Sequence, residues 1–202
     1  MRRFVVPLLV CTLGFALIAS AWYIFFAKTT DTADDPAADI ENSAAAPGFA
    51  RAIDTQAAAT GPLLPPRTPP LGFKEYRSET HRFSVFYPET LTVESFDEGA
   101  GASTIVLQDP EAGQGFQVFV VPYSGVQVST ERFRRDAPSG IMQDPHDLEI
   151  DSALATMFFG KDPLLGETRE VWFIHGGYLF EVSAPKVLDE WLGTIMSSWR
   201  FI

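Results

Sequence analysis

The chain has 202 residues, 46% hydrophobic and 13% aromatic, with 17 phenylalanines and a formal net charge of −11. That much aromatic bulk suits one domain with a substantial core plus flanking segments, and the acidity repels phosphate backbones, which excludes nucleic acid as an expected partner. The single cysteine, Cys11, lies in an apolar N-terminal run, so the rest of the chain holds no disulfide, thiolate nucleophile or zinc–thiolate site.

Charge is distributed unevenly: +3 over residues 1–28, −4 over 29–71 and −10 over 72–202. Phe4 to Ala27 is 24 residues without a charge. As a helix rising about 1.5 Å per residue it spans roughly 36 Å, enough for a hydrocarbon core of about 30 Å. Trp22 and Tyr23 lie near its far end, where amphipathic rings favour the interface, and Arg2 and Arg3 precede it. The expectation is a single-pass anchor in the lipid bilayer at 4–27. Residues 1–3 are then cytoplasmic and the C-terminal domain is periplasmic, on a bacterial inner membrane. Ala19-Ser20-Ala21 offers an alternative, cleavage near Ala21 and secretion, but this leaves Trp22-Tyr-Ile-Phe-Phe26 exposed at the new terminus. Lipidation at Cys11 is disfavoured by Val10, where a small residue is needed, and Cys11 reads as a small lipid-facing side chain.

Residues 28–71 are rich in Ala, Thr, Asp and Pro with no apolar period, so they are expected to be a disordered linker. Its root-mean-square reach as a flexible chain is about 36 Å. Pro62, Pro65, Pro66, Pro69 and Pro70 stiffen its end toward polyproline II. Pro62-Leu-Leu-Pro65 and Pro66-Arg-Thr-Pro69 match P-x-x-P, a ligand for an aromatic groove or, more simply outside the cytoplasm, a stiff spacer.

Residues 72–202 read as an extracytoplasmic domain. Strands are expected at 73–77, 82–87, 91–96, 103–107 and 116–121, the second with Phe83, Val85 and Tyr87 on one face and ended by Pro88. Phe116, Val118 and Val120 alternate with Phe119 and Val121, so that strand is covered on both faces. Ser129 or Thr130 caps a short helix through Arg135. Leu148–Ile150 and Ala153–Phe159 suggest a hairpin turning at Asp151-Ser152. A second hairpin turns at Gly176-Gly177, and Leu188, Trp191, Leu192, Ile195 and Trp199 make one apolar helix face after it. The class is α+β, an antiparallel β-sheet flanked by helices.

Asp144, His146, Asp147, Glu149 and Asp151 are the densest set of candidate cation ligands, and in a strand Asp147, Glu149 and Asp151 share one face. The spacing lacks the glycine and closing acid of an EF-hand, and the plainer reading is an acidic edge that discourages strand addition. Arg132, Arg134 and Arg135 are the basic cluster of an acidic domain, candidates for binding an acidic partner or a lipid phosphate, or for pairing with local acids. His81, His146 and His175 are far apart, and no nucleophile elbow, zinc-protease or phosphate-loop motif occurs. Trp172, Trp191 and Trp199 stand at core spacing and read as packing, with His175 as an exposed turn residue.

Tyr76, Arg82-Phe-Ser-Val-Phe-Tyr-Pro88, Gly166-Glu-Thr-Arg-Glu-Val-Trp-Phe173, Gly177-Tyr-Leu-Phe-Glu-Val182 and the close at Trp199-Arg-Phe201 resemble the PsbP-like family. Its fold is shared by the extrinsic oxygen-evolving subunit of photosystem II, a Ran-binding nuclear import factor and bacterial anchored homologues. The resemblance covers about residues 72–202. It implies an α–β–α sandwich and a non-enzymatic adaptor or assembly module; none of the family's metal or partner residues maps onto this chain. The expected function is a membrane-anchored protein-interaction or assembly module without catalysis or cofactor, bound to another envelope protein. The alternatives are a small-molecule or divalent-metal carrier or sensor and an envelope hydrolase.

Overall fold

A computed structural model describes residues 48–49, 62–163 and 165–202. The anchor at 4–27, the cytoplasmic residues 1–3, the cleavage point near Ala21 and most of the 28–71 linker lie outside the described residues. Among the described residues no helix is long and apolar enough to cross a membrane.

The fold is mostly antiparallel strand with few helices. The strands are β1 (Phe73–Ser78), β2 (Phe83–Pro88), β3 (Thr92–Gly99), β4 (Ala102–Asp109), β5 (Gln114–Pro122), β6 (Gln143–Ile150), β7 (Ala153–Asp162), β8 (Gly166–His175), β9 (Tyr178–Pro185) and β10 (Arg200–Phe201). The helices are α1 (Thr130–Asp136) and α2 (Asp189–Met196), the latter entered through a 3₁₀ turn at Lys186–Leu188. Seven strands form one sheet in the order β3-β4-β5-β9-β8-β7-β6, and β1, β2 and β10 form a second with β2 central. Three tight hairpins turn through two residues of positive φ: Ala100 (49°) and Gly101 (81°) between β3 and β4, Asp151 (43°) and Ser152 (72°) between β6 and β7, and Gly176 (58°) and Gly177 (82°) between β8 and β9. That backbone twist matches the twist of the flanking strands. Glycine adopts it without a Cβ penalty, whereas Asp151 and Ser152 do not.

The main core lies between the large sheet on one side and the small sheet with α2 on the other. Phe83 of β2 stacks on Trp199 with centroids 4.3 Å apart and planes 1° from parallel. Phe180 meets both edge-on at 5.6 and 5.8 Å, and Phe173 stacks on Phe180 at 5.1 Å. From α2, Leu192, Ile195 and Met196 are buried. Arg169 of β8 fastens that helix through two hydrogen bonds to Asp189, at 2.6 and 2.8 Å, while its guanidinium lies 3.6 Å from the centre of the Phe159 ring.

The expected apolar helix face from Leu188 to Trp199 is corrected here. Leu188 belongs to the 3₁₀ turn, Trp199 to the connection after the helix, and Trp191 is only half-buried against Phe116. The helix has eight residues, too few for a stripe of that length, and Trp199 is placed by chain reversal into β10.

The opposite face of the large sheet carries a second core of Phe49, Val128, Phe133, Phe158, Trp172, Ile174 and Leu179. Helix α1 lies over it, capped by Ser129, whose hydroxyl accepts from the Arg132 amide at 3.0 Å. Phe49 falls within the stretch expected to be disordered, yet it is buried and meets Phe133 and Phe158 edge-on at 5.6 and 5.9 Å.

Truncating a core aromatic costs about 3–5 kcal/mol. Urea unfolding is expected to show a loss of about that size for Trp199→Ala and less than half of it for half-buried Trp191→Ala. Phe49→Ala is expected to cost about 3 kcal/mol, where a spacer residue would cost almost nothing.

Candidate functional site

Three turns meet at one end of the two sheets and enclose a cleft of about 230 Å³. The β1–β2 turn supplies His81 and Arg82, the β6–β7 turn Asp151, and the β8–β9 turn His175 and Tyr178; Pro62 and Leu64 form a further wall. Arg82 and Asp151 both hold positive φ, 57° and 43°, so two side-chain-bearing residues of the cleft sit where glycine is favoured.

The closing strand explains why. The Ile202 amide donates to the Arg82 carbonyl at 2.9 Å, and the Phe201 amide donates to Asp151 Oδ2 at 2.6 Å. His175 stacks on Phe201 at 3.5 Å with planes 8° apart, so it is a half-buried packing residue rather than an exposed turn residue. His81 is buried and meets Tyr178 edge-on at 5.1 Å. Burial lowers both imidazole pKa values, opposed by the Gly101 backbone for His81 and by Asp151 for His175. Both rings are therefore neutral at pH 7.

The folding chain thus brings His81 and His175 to one cleft and leaves His146 on β6, exposed and opposite Met157. It also sets a serine beside a histidine, with Ser78 Oγ 3.2 Å from His81 Nδ1. Nucleophilic catalysis needs that serine to be presented to substrate and the imidazole to be oriented by an acid. Here Ser78 is buried and its oxygen accepts the His81 amide at 3.2 Å, which closes the turn, and Asp151 is engaged by the Phe201 amide. The pair braces a turn.

The acids of 144–151 do not converge. Asp144 has positive φ (49°) beside a register shift between Gln143 and His146, Asp147 accepts from the Thr156 hydroxyl at 3.3 Å, and Asp151 leaves the strand at the turn. Asp147 and Glu149 share a face, both exposed, on the edge strand of the large sheet. Among the described residues no group of three or more His, Cys, Asp or Glu is placed to hold a metal ion.

The arginine cluster separates. Arg132 is buried under α1, ion-paired with Asp136 and 3.6 Å from Glu181 Oε1. That removes it from any surface a partner could reach. Arg135 stands at the rim, 3.7 Å from Asp136, and Arg134 is exposed.

A site that sequence reasoning missed lies on the outer face of the small sheet. Residues 62–69 cross it as a strap. The Arg67 amide and Nε donate to Glu75 at 3.0 and 3.1 Å, its Nη2 donates to Ser84 Oγ at 3.1 Å, and its guanidinium lies 4.1 Å from the centre of the Phe86 ring. Arg77 donates to the Leu64 carbonyl. Burial works to raise the Glu75 pKa, but the Arg67 amide, the Ser84 hydroxyl and the Arg67 guanidinium together hold it below its ordinary value. The one local signal was an arginine set among prolines; its acidic and aromatic partners lie on two strands further along. Leu63 and Leu64 stay more than a third exposed on this strap, and Leu71, just after it, is wholly exposed. Arg67→Ala is expected to free the strap, read as faster proteolytic nicking within residues 62–71 with little change in the unfolding midpoint of the domain.

No protein-family model matches the chain, and no curated protein matches it. The chain is similar to the solution structure of cyanobacterial PsbP (CyanoP) from Synechocystis sp. PCC 6803, at 16% identity over 70% of this chain and 100% of that chain, with a TM-score of 0.47.

Proposed function

We propose that the chain is a membrane-anchored, extracytoplasmic protein-interaction or assembly module of the PsbP-like, α–β–α kind, with no catalysis of its own. The observation that carries this reading is the strap. Leu63 and Leu64 stay more than a third exposed on a segment that Arg67 fastens to the domain, and fully exposed Leu71 follows them before β1. Apolar side chains held in place before binding lose little freedom when a partner covers them, which is how a small patch gains affinity. The acidic edge strand β6 disfavours strand addition at its own edge, which turns association toward side-chain surfaces such as this one.

The test places a photo-crosslinking residue at position 63 or 71 of the full chain in its native membrane. A protein adduct is expected at both, and Leu63→Asp with Leu71→Asp is expected to reduce its recovery about tenfold. Adducts no more frequent than those from position 190, an exposed site on α2, would sink the reading.

A second reading, a small-molecule carrier, rests on the cleft between the three turns. A compound seated there is expected to raise the melting temperature and to shift the His81 and His175 ring signals together. A compound that raises the melting temperature without moving those signals binds elsewhere.

A further inference from the structure

We propose that the seat of α1 on the large sheet is a pH-sensitive latch, in which Glu181 holds a proton beside the buried Arg132–Asp136 pair and loss of that proton to solvent frees the helix. Arg132 and Glu181 are each less than a tenth exposed, and the Asp136 side chain is 2% exposed. Arg132 and Asp136 are one helical turn apart and ion-paired, and Arg132 Nη2 lies 3.6 Å from Glu181 Oε1. The β8–β9 register sets Trp172 opposite Glu181 and Glu170 opposite Ser183, so Glu170 lies on the same face, one pair along. Trp172 Nε1 donates to Glu170 Oε2 at 3.2 Å.

From α1 come Asp136, Arg132 and, at the rim, Arg135; from β8 come Glu170, the Thr168 hydroxyl and the Trp172 indole; from β9 comes Glu181 itself, and Asp162 at the end of β7 acts on Glu170. Asp136 and Glu181 thus meet one buried guanidinium, Asp136 also meets the half-exposed Arg135, and Glu170 lies one pair further along the sheet. Burying a second unpaired carboxylate is far more costly than keeping a proton on it. The Arg132 guanidinium reaches both carboxyls but pairs with Asp136, and it stands 3.6 Å from Glu181 Oε1. One buried guanidinium already paired with Asp136 cannot also neutralise Glu181, so the geometry favours a proton on Glu181.

Burial first and Asp136 second raise the Glu181 pKa well above that of an ordinary glutamate, and burial raises Glu170 to about 7. The sign follows. A carboxyl whose folded pKa exceeds its unfolded value stabilises the fold fully below the unfolded value, and that stabilisation is lost as pH rises through the folded one. For Glu170 the window runs from the ordinary 4.5 to about 7. The loss falls on α1 because only Arg132 and Phe133 of its seven residues are buried, whereas the sheet is also secured by the core on its other face. A freed α1 uncovers Phe158 and Trp172.

Hydrogen exchange on the full chain in detergent micelles tests this. Between pH 5.5 and 8.5, protection of the α1 amides, corrected for intrinsic rate, is expected to fall at least tenfold while that of β4 and β5 amides stays constant. In Glu181→Gln less than half of that change, in log units, should remain, and in the Glu170→Gln, Glu181→Gln double variant none. An unchanged pH dependence in Glu181→Gln, or flat protection of α1 in the unmodified chain, overturns the proposal. Should the variants not fold, carboxyl-carbon NMR of the unmodified protein decides. A Glu181 carboxyl that titrates as an ordinary glutamate overturns the latch, and one that titrates well above that supports it.

Discussion

The stack of Trp199 on Phe83 joins the two ends of the domain inside its core. Phe83 stands on the central strand of the small sheet, and Trp199 arrives from the connection between α2 and β10. Pressed against Phe180 and Phe173, the pair sets the distance between the two sheets and thereby the geometry of the three turns beyond them. β10 then adds to β2, and its Phe201 meets both Asp151 and His175. The cleft exists because one aromatic contact holds two sheets at a fixed spacing and the chain's last strand seals one side of it.

Much of the fold could be read from local pattern. Alternation at Phe83, Val85 and Tyr87 and at Phe116, Val118 and Val120 gave the strands, and Gly176-Gly177 gave the hairpin, because each depends on residues within a few positions. The misses share a cause. The first half of β6 begins at a bulge around Asp144 and Pro145, so its period is broken, and β10 has two residues whose partner is β2. Phe49 finds its cover on α1, β7 and β8. A period of 2 or 3.6 carries no information about pairing across such distances.

The candidate site was less legible, for an electrostatic reason. Sequence shows which charges are near one another along the chain, whereas the charges that matter here are paired through space. Arg132 and Arg135 look alike in the sequence, but a packed Phe133 turns one under the helix and leaves the other at the rim. Arg67 lies among prolines, yet its partners are on β1 and β2. The residues that resemble the PsbP-like family fall mainly on β2, β8 and β9, where they build the core, and so they speak of packing.

The contact between Phe86 and Ser198, 112 positions apart, orders events in time. A chain emerging from its amino-terminal side makes β2 early, but the aromatic face of β2 lacks its stacked partner until Trp199 arrives. Contacts of such separation are the slow ones, since the loop must close before any contact compensates for the lost freedom. For that interval Phe83 and Val85 are open to whatever apolar surface is nearby. A newly made copy is therefore at its most adhesive before Trp199 seats, and shielding β2 through that interval would do more for its yield than strengthening the folded core.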